Sequence, residues 1–210
     1  VKQTPYGMEQ CLADIAVSRE TGERLQTYAD LLVKWQARIN LVGPETIPSL
    51  WQRHFLDSAQ LFPLVPQSVH RLVDMGSGAG FPGLVLAILG VPDVHLIESD
   101  GRKCAFLREA ARVTATKLTI HNARIEQVAP LAADLVTARA LAPLEKLLSW
   151  AEPHLGPGGE CLFLKGRAAE DELTQAAKEW IFSLDRVTSL TDPASSILHL
   201  REVRRGRAER

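Results

Sequence analysis

The sequence predicts an α/β fold: a mostly parallel seven-stranded sheet that ends in an antiparallel hairpin and carries an N-terminal helical cap. Three observations lead there. Apolar residues recur at helical spacing early in the chain. From Arg71 onward, short apolar runs alternate with helical stretches, the mark of successive βα units. Near the end, two extended runs are joined by a tight turn with no helix between them.

The elements follow in order. After Leu25, the residues Tyr28, Leu32, Trp35 and Ile39 are three or four apart and form one core-facing stripe of a helix. Past the Gly43-Pro44 break, a second helical pattern carries Ile47, Leu50, Trp51 and Phe55. It should end before Pro63, because a proline steers the residue ahead of it out of the helical region. Residues 1–68 are therefore expected to form the cap and residues 69–210 the sheet domain. Strands are expected at 72–75, 94–98, 118–121, 135–137 and 161–165, with helices at 82–89, 102–113 and 144–152. Pro82 suits the first helical position, where its missing N–H costs nothing. Beyond Trp180, the runs 181–190 and 197–203 flank Thr191-Asp192-Pro193-Ala194. Strands joined so directly run antiparallel.

Composition narrows the class. The 210 residues, 46% hydrophobic, are enough for one substantial core, and at roughly 150 residues per domain a second has little room. A formal net charge of -1 advertises no polyanionic partner overall, yet Arg201, Arg204, Arg205, Arg207 and Arg210 crowd the last ten positions. Cys11, Cys104 and Cys161 form no CxxC pair, so they read as reduced thiols and no metal site is expected. No apolar stretch reaches the roughly 18 residues of a membrane span, and no basic-then-apolar leader opens the chain. A cytoplasmic monomer without a membrane partner is the expectation.

The chemistry is concentrated in Val73-Asp74-Met75-Gly76-Ser77-Gly78-Ala79-Gly80-Phe81-Pro82-Gly83, which leaves the first sheet strand and opens a helix. Glycines there let backbone approach a nucleotide-like ligand and adopt φ values that a Cβ would forbid. Spacing alone leaves two ligands open: GxGxG from Gly76 suits S-adenosylmethionine (SAM), and GxGxxG from Gly78 suits a dinucleotide such as NAD. Glu98, about twenty residues on at the end of the second strand, is placed to accept hydrogen bonds from ribose hydroxyls, which either ligand carries. The rest of the chain favours SAM. A dehydrogenase needs a further substrate domain with its own acid or base, whereas here the sheet closes in a hairpin. A final antiparallel strand is usual in SAM-dependent methyltransferases of the Rossmann-like type, and Leu155-Gly156-Pro157-Gly158-Gly159 is similar to a turn many of them carry.

Several blocks then resemble one family in order and spacing. Arg53-His54-Phe55-Leu56-Asp57-Ser58, residues 74–83, Ile97-Glu98-Ser99, Arg124-Ile125-Glu126, Thr137-Ala138-Arg139-Ala140 and Leu164-Lys165-Gly166 look like the RsmG (GidB) family of 16S rRNA guanine-N7 methyltransferases. Departures are mild: Ser77, Ala79 and Phe81 stand where Thr, Pro and Leu or Phe are common, Glu98 replaces a frequent Asp, and Val42 supplies no hydroxyl. The resemblance implies SAM as cofactor and 16S rRNA or the small ribosomal subunit as partner. It implies cofactor contacts at Gly76, Phe81, Ile125, Glu126 and Arg139, beside Asp74, Gly78 and Glu98 of the loop and strand end already described, with Arg53 and Arg139 positioning substrate and Arg53, His54, Asp57 and Ser58 closing the mouth. By themselves, Arg53 and Asp57 four apart suit a surface helix pair worth a few tenths of a kcal/mol, and His54 suits a buried, satisfied histidine. Lys165, Arg139, Arg53 and the C-terminal arginines are candidates for phosphate contact. No Asp-Pro-Pro-Tyr-like motif follows the fourth strand, which disfavours an exocyclic amine as methyl acceptor. Transfer to a small molecule or a protein stays open as an alternative, and an NAD-binding regulatory role remains a third.

Overall fold

Residues buried on both faces make the centre of a parallel sheet, and this chain supplies them in β1 (Arg71–Met75), β2 (Asp93–Glu98) and β4 (Ala133–Arg139). The computed structural model, which describes residues 6–206, adds β3 (Thr119–Asn122), β5 (Leu155–Lys165), β6 (Trp180–Thr188) and β7 (Ser196–Arg205). The order across the sheet is β3-β2-β1-β4-β5-β7-β6. The first five strands are parallel, and β7 enters antiparallel between β5 and β6. β6 takes the edge, exposes most of its side chains and carries Asp185 and Arg186 there, charges that discourage pairing with another chain.

Two helical layers cover the faces. α1 (Met8–Ile15) and α2 (Arg19–Gln36) pack with α4 (Gly83–Leu89) and α5 (Gly101–Val113), sharing one apolar cluster that includes Leu25, Tyr28, Phe55, Leu84, Leu96 and Phe106. On the other face α6 (Leu144–Ala151) and α7 (Ala169–Ala176) cover Val73, Ile97, Val136 and Phe163. The ends of α2 and α5 are set by local chemistry: Ser18 accepts from the Thr21 N–H, and Asp100 accepts from the N–H groups of Arg102 and Lys103.

Some elements differ from expectation. The segment 44–59 is not one regular helix but a 3-10 stretch (Pro44–Ser49), a π-helical turn (Trp51–Leu56) and the short α3 (Asp57–Ala59). Pro48 lacks the N–H that a regular helix would use. α4 begins at Gly83, with Pro82 as the cap rather than the first helical residue. α7 has no clear signature in the sequence, because it buries only Ala169 and Ala176, too narrow a stripe to register. The Gly156-Pro157-Gly158-Gly159 stretch lies inside β5 as an irregularity opposite β4, where pairing jumps from Ala133–Leu155 to Leu135–Glu160. Cys11, Cys104 and Cys161 are all buried and free. Among the described residues no helix is long and apolar enough to cross a membrane, and no group of three His, Cys, Asp or Glu is placed to hold a metal. Of the C-terminal arginines, Arg207 and Arg210 lie outside the described residues.

Candidate active site

The loop between β1 and α4 leaves the C-terminal edge of the sheet, where open α/β folds bind ligands. Gly76 has φ +64 and supports a close approach: a Cβ there would stand 2.5 Å from Leu141 Cδ1. Gly78, at φ +56, faces open space, its nearest neighbour being the Gly76 carbonyl oxygen at 3.9 Å. Asp74 is wholly buried behind this loop. Its Oδ2 accepts the Gly83 N–H at 3.2 Å and its Oδ1 accepts the Thr137 hydroxyl at 2.8 Å. Burial pushes its carboxyl up to about 6, against hydrogen bonds from Thr137, Ser77 and Gly83 that pull it down. Asp74, expected as a cofactor contact, is enclosed under the loop and anchors it from behind.

Glu98 is the residue that meets the loop from the ligand side. Its Oε2 accepts the Gly78 N–H at 2.9 Å, and its Oε1 accepts the Asp100 N–H at 2.7 Å. Each carboxylate oxygen keeps a further lone pair, so the donor set of a ribose diol fits it. Ile125 is buried in the short 3-10 turn Ile125–Gln127, whereas Glu126 is exposed and accepts the Trp150 indole N–H at 2.8 Å. Phe81 is 4% exposed, with its ring packed between Tyr28 and Phe55 and under the Arg139 guanidinium. What Phe81 offers a ligand is therefore its backbone.

At the end of β4, Arg139 reaches into the cap. Its guanidinium donates to the Arg53 carbonyl at 3.0 Å and to His54 Nδ1 at 2.8 Å, and pairs with Asp57 at 3.3 Å. An arginine has no lone pair to offer, so Nδ1 of His54 is an acceptor and the proton sits on Nε2. That proton faces Thr46 Oγ1 at 2.7 Å, and the Thr46 hydroxyl donates to the Gly43 carbonyl. Burial and the charges of Arg139 and Arg53 lower the His54 imidazole to about 3, which keeps it neutral. Asp57 also accepts from the Thr191 hydroxyl at 2.6 Å and the Gln60 amide at 3.0 Å. Gln60 in turn accepts the Leu190 N–H at 2.7 Å, fixing the β6–β7 loop to the cap.

His54, Asp57, Arg139 and Thr191 line a cavity of about 220 Å³ with Arg53, Lys165 and Asp192. The surface pair between Arg53 and Asp57 does not form; Asp57 turns to Arg139, and the exposed Arg53 contributes its carbonyl. Ser58 is fully buried, and its hydroxyl finds no partner. Lys165, expected as a phosphate ligand, is 8% exposed and spends its ammonium on Glu172 at 2.6 Å and the Ala142 carbonyl at 2.8 Å. Sequence reasoning missed Gln60, Leu141 and Thr191. Each acts across more than sixty positions of chain, and none belongs to a motif.

Sheet order, the reversed last strand and a glycine turn facing an acidic strand end give the Rossmann-like α/β fold, and the family that the chain matches makes it a methyltransferase of that fold. The chain belongs to the GidB family, rRNA small subunit methyltransferase G, which it matches over residues 21–200. It is similar to the ribosomal RNA small subunit methyltransferase G of Paramagnetospirillum magneticum, 71% identical over 97% of this chain and 99% of the relative. The protein of the same name from Rhodospirillum rubrum is 54% identical over 94% and 98%. In fold it resembles a T. thermophilus 16S rRNA N2 methyltransferase solved with AdoMet and guanosine, at TM-score 0.52 and 20% identity over 70% of this chain and 38% of that one.

Proposed function

We propose that the chain transfers the methyl group of SAM to N7 of a guanine in 16S rRNA of the small ribosomal subunit. The observation that carries this reading is the state of the mouth. His54 uses both ring nitrogens, Asp57 is held by Arg139 and Thr191, Lys165 by Glu172, and Asp192 by the Ala194 N–H and the Ser195 hydroxyl. Such a site suits an acceptor that needs no proton removed. Guanine N7 carries an in-plane lone pair, so positioning it behind the methyl carbon is the main task, an orientation effect on the order of 7 to 11 kcal/mol.

SAM, when bound, supplies an electrophilic methyl on a sulfonium. Glu98 would accept from its ribose hydroxyls, Gly76 and Gly78 would give it backbone access, Phe81 would contribute main chain, and Ile125 and Glu126 would flank its adenine. Asp74 keeps the loop in shape from behind. Arg139 and Arg53 orient the incoming nucleotide, and the neutral His54 holds the Arg139 guanidinium without adding charge beside a base that turns cationic. Residues 6–68 act as the cap of this mouth.

The test is transfer of radiolabelled methyl from SAM to small subunits isolated from cells lacking the gene, followed by nucleoside analysis. Label recovered as N7-methylguanosine at one 16S position is expected. Label on another nucleoside, or on none while SAM still binds, overturns the assignment. Glu98→Ala should weaken SAM binding at least tenfold by calorimetry, with the fold retained.

A further inference from the structure

A second cleft opens between the end of α2 and the start of α5. It is about 240 Å³, lined by Lys34, Trp35, Arg38, Ile39, Arg102 and Ala105. Its floor is apolar: Trp35 is half-buried, in an edge-to-face arrangement with Phe106 at 5.7 Å between centroids, with Ile39 and Ala105 beside it. Its rim is cationic. Lys34, Arg38 and Arg102 are exposed, and no acidic side chain is among the lining residues. Arg102 also pairs with Asp100 at 3.3 Å, but with its own side chain 75% exposed that pairing competes little with another anion.

From these residues we propose that the cleft is a second RNA subsite, in which Trp35 receives a nucleobase flanking the target and Lys34, Arg38 and Arg102 take the adjoining phosphates. An aromatic floor accepts the π-face of any base, and a cationic rim tracks the backbone; the two together are how single-stranded RNA is held without sequence preference. Position supports the same occupant. Arg102 follows β2 by four residues, while Arg139 and Lys165 end β4 and β5. β2 lies two strands from β4 and three from β5 across β1. At about 4.8 Å per strand, the end of β2 that leads into the subsite lies roughly 10 to 14 Å across the same edge of the sheet from the ends of β4 and β5 that lead into the mouth. A strand of a few nucleotides spans that distance. The cleft thus gives a chain with a net charge of -1 a local cationic patch for a polyanion, made of Lys34, Arg38 and Arg102.

This inference rests on the rRNA reading above, and the experiment separates the two. Small subunits from cells lacking the gene are methylated by the wild type, by a Lys34→Ala/Arg38→Ala/Arg102→Ala variant, and by Trp35→Leu, with SAM affinity measured in parallel. The triple variant should bind subunits at least tenfold more weakly with unchanged SAM affinity. The slope of log Kd against log salt should flatten by between about 0.7 and 0.9 for each phosphate that the variant no longer neutralises. Trp35→Leu should weaken binding about fivefold or more with the salt slope unchanged; Trp35→Phe, which keeps an aromatic face, should restore most of it. Wild-type subunit affinity and salt slope in the triple variant would refute the subsite while leaving the methyltransferase reading intact. Weaker binding with an unaltered salt slope in that variant points to a ribosomal protein surface and also overturns it. If the wild type methylates no RNA, the rRNA reading falls and takes the subsite with it.

Discussion

At the scale of single residues, the site contains charges and backbone angles whose effects are separable. Gly76 combines φ +64 with a Cβ position 2.5 Å from Leu141, whereas Gly78 has φ +56 but open space around it. Gly76→Ala should therefore lower SAM affinity well beyond Gly78→Ala, which meets only the backbone penalty of roughly 1 to 2 kcal/mol; calorimetry giving the reverse order would contradict the loop's geometry. His54 and Asp74 link stability to pH with opposite signs. His54 titrates at about 3 in the fold against 6.5 unperturbed, so its contribution is complete above pH 6.5 and is lost as pH falls toward 3. Asp74 titrates at about 6 against 3.8, so the folded chain takes up its proton first; its contribution is largest below pH 4 and is lost as pH rises through 6. Denaturant unfolding of wild type, His54→Phe and Asp74→Asn from pH 4 to pH 8 reads both, and parallel profiles for all three would show that neither group is shifted. The glycines and Glu98 were legible in the sequence because they form a motif. The partners of Arg139 were not, since His54 and Asp57 precede it by more than eighty positions.

Elements matter through the way their ends are tied. The β6–β7 loop is held to the cap by Gln60, whose amide bonds Asp57 and Ser189 and whose carbonyl oxygen accepts the Leu190 N–H. Gln60→Ala leaves the Leu190 N–H without its acceptor and takes one donor from Asp57, at a cost of about 1 to 3 kcal/mol. The loop forms a wall of the cavity proposed to take the substrate, through Thr191, Asp192 and Ser195, so KM for the subunit should rise more than KM for SAM; equal changes would mean the loop does not face the substrate. The hairpin itself was readable from the Thr191–Ala194 turn signal, but its insertion of β7 beside β5 was not, because strand order depends on long-range packing that no local pattern encodes. Likewise, the regular helix suggested by Ile47, Leu50, Trp51 and Phe55 gives way to a π-helical turn over Trp51–Leu56. That turn presents the Arg53 carbonyl, His54 and Asp57 together to Arg139, a use of irregular helix seen often at functional sites.

In the molecule as a whole, cap and sheet share an apolar cluster, with Tyr28 and Phe55 from the cap against Phe81 and Phe106 from the sheet side. The Tyr28 hydroxyl donates to the Ala79 carbonyl in the glycine loop, joining the cofactor turn directly to α2. Cap and sheet should consequently unfold in one cooperative transition, with tryptophan fluorescence and far-UV circular dichroism giving the same midpoint. A cap that melts first would mark residues 1–68 as an independent unit. Tyr28→Phe should lower stability by about 0.5 to 1.5 kcal/mol and weaken SAM binding through the loop.

The sequence by itself determined the fold class, the seven strands, the glycine turn, the acid at the end of β2 and the family. These depend on local backbone needs and on side-chain periodicity, which are written in neighbouring residues. Tertiary structure decided the rest. It gave Asp74 and Lys165 internal partners, since only the packed chain brings Thr137, Gly83 and Glu172 to them. It also joined Arg139 to a neutral His54 and to Asp57, because burial and long-range proximity set both the charge and the reach of a side chain.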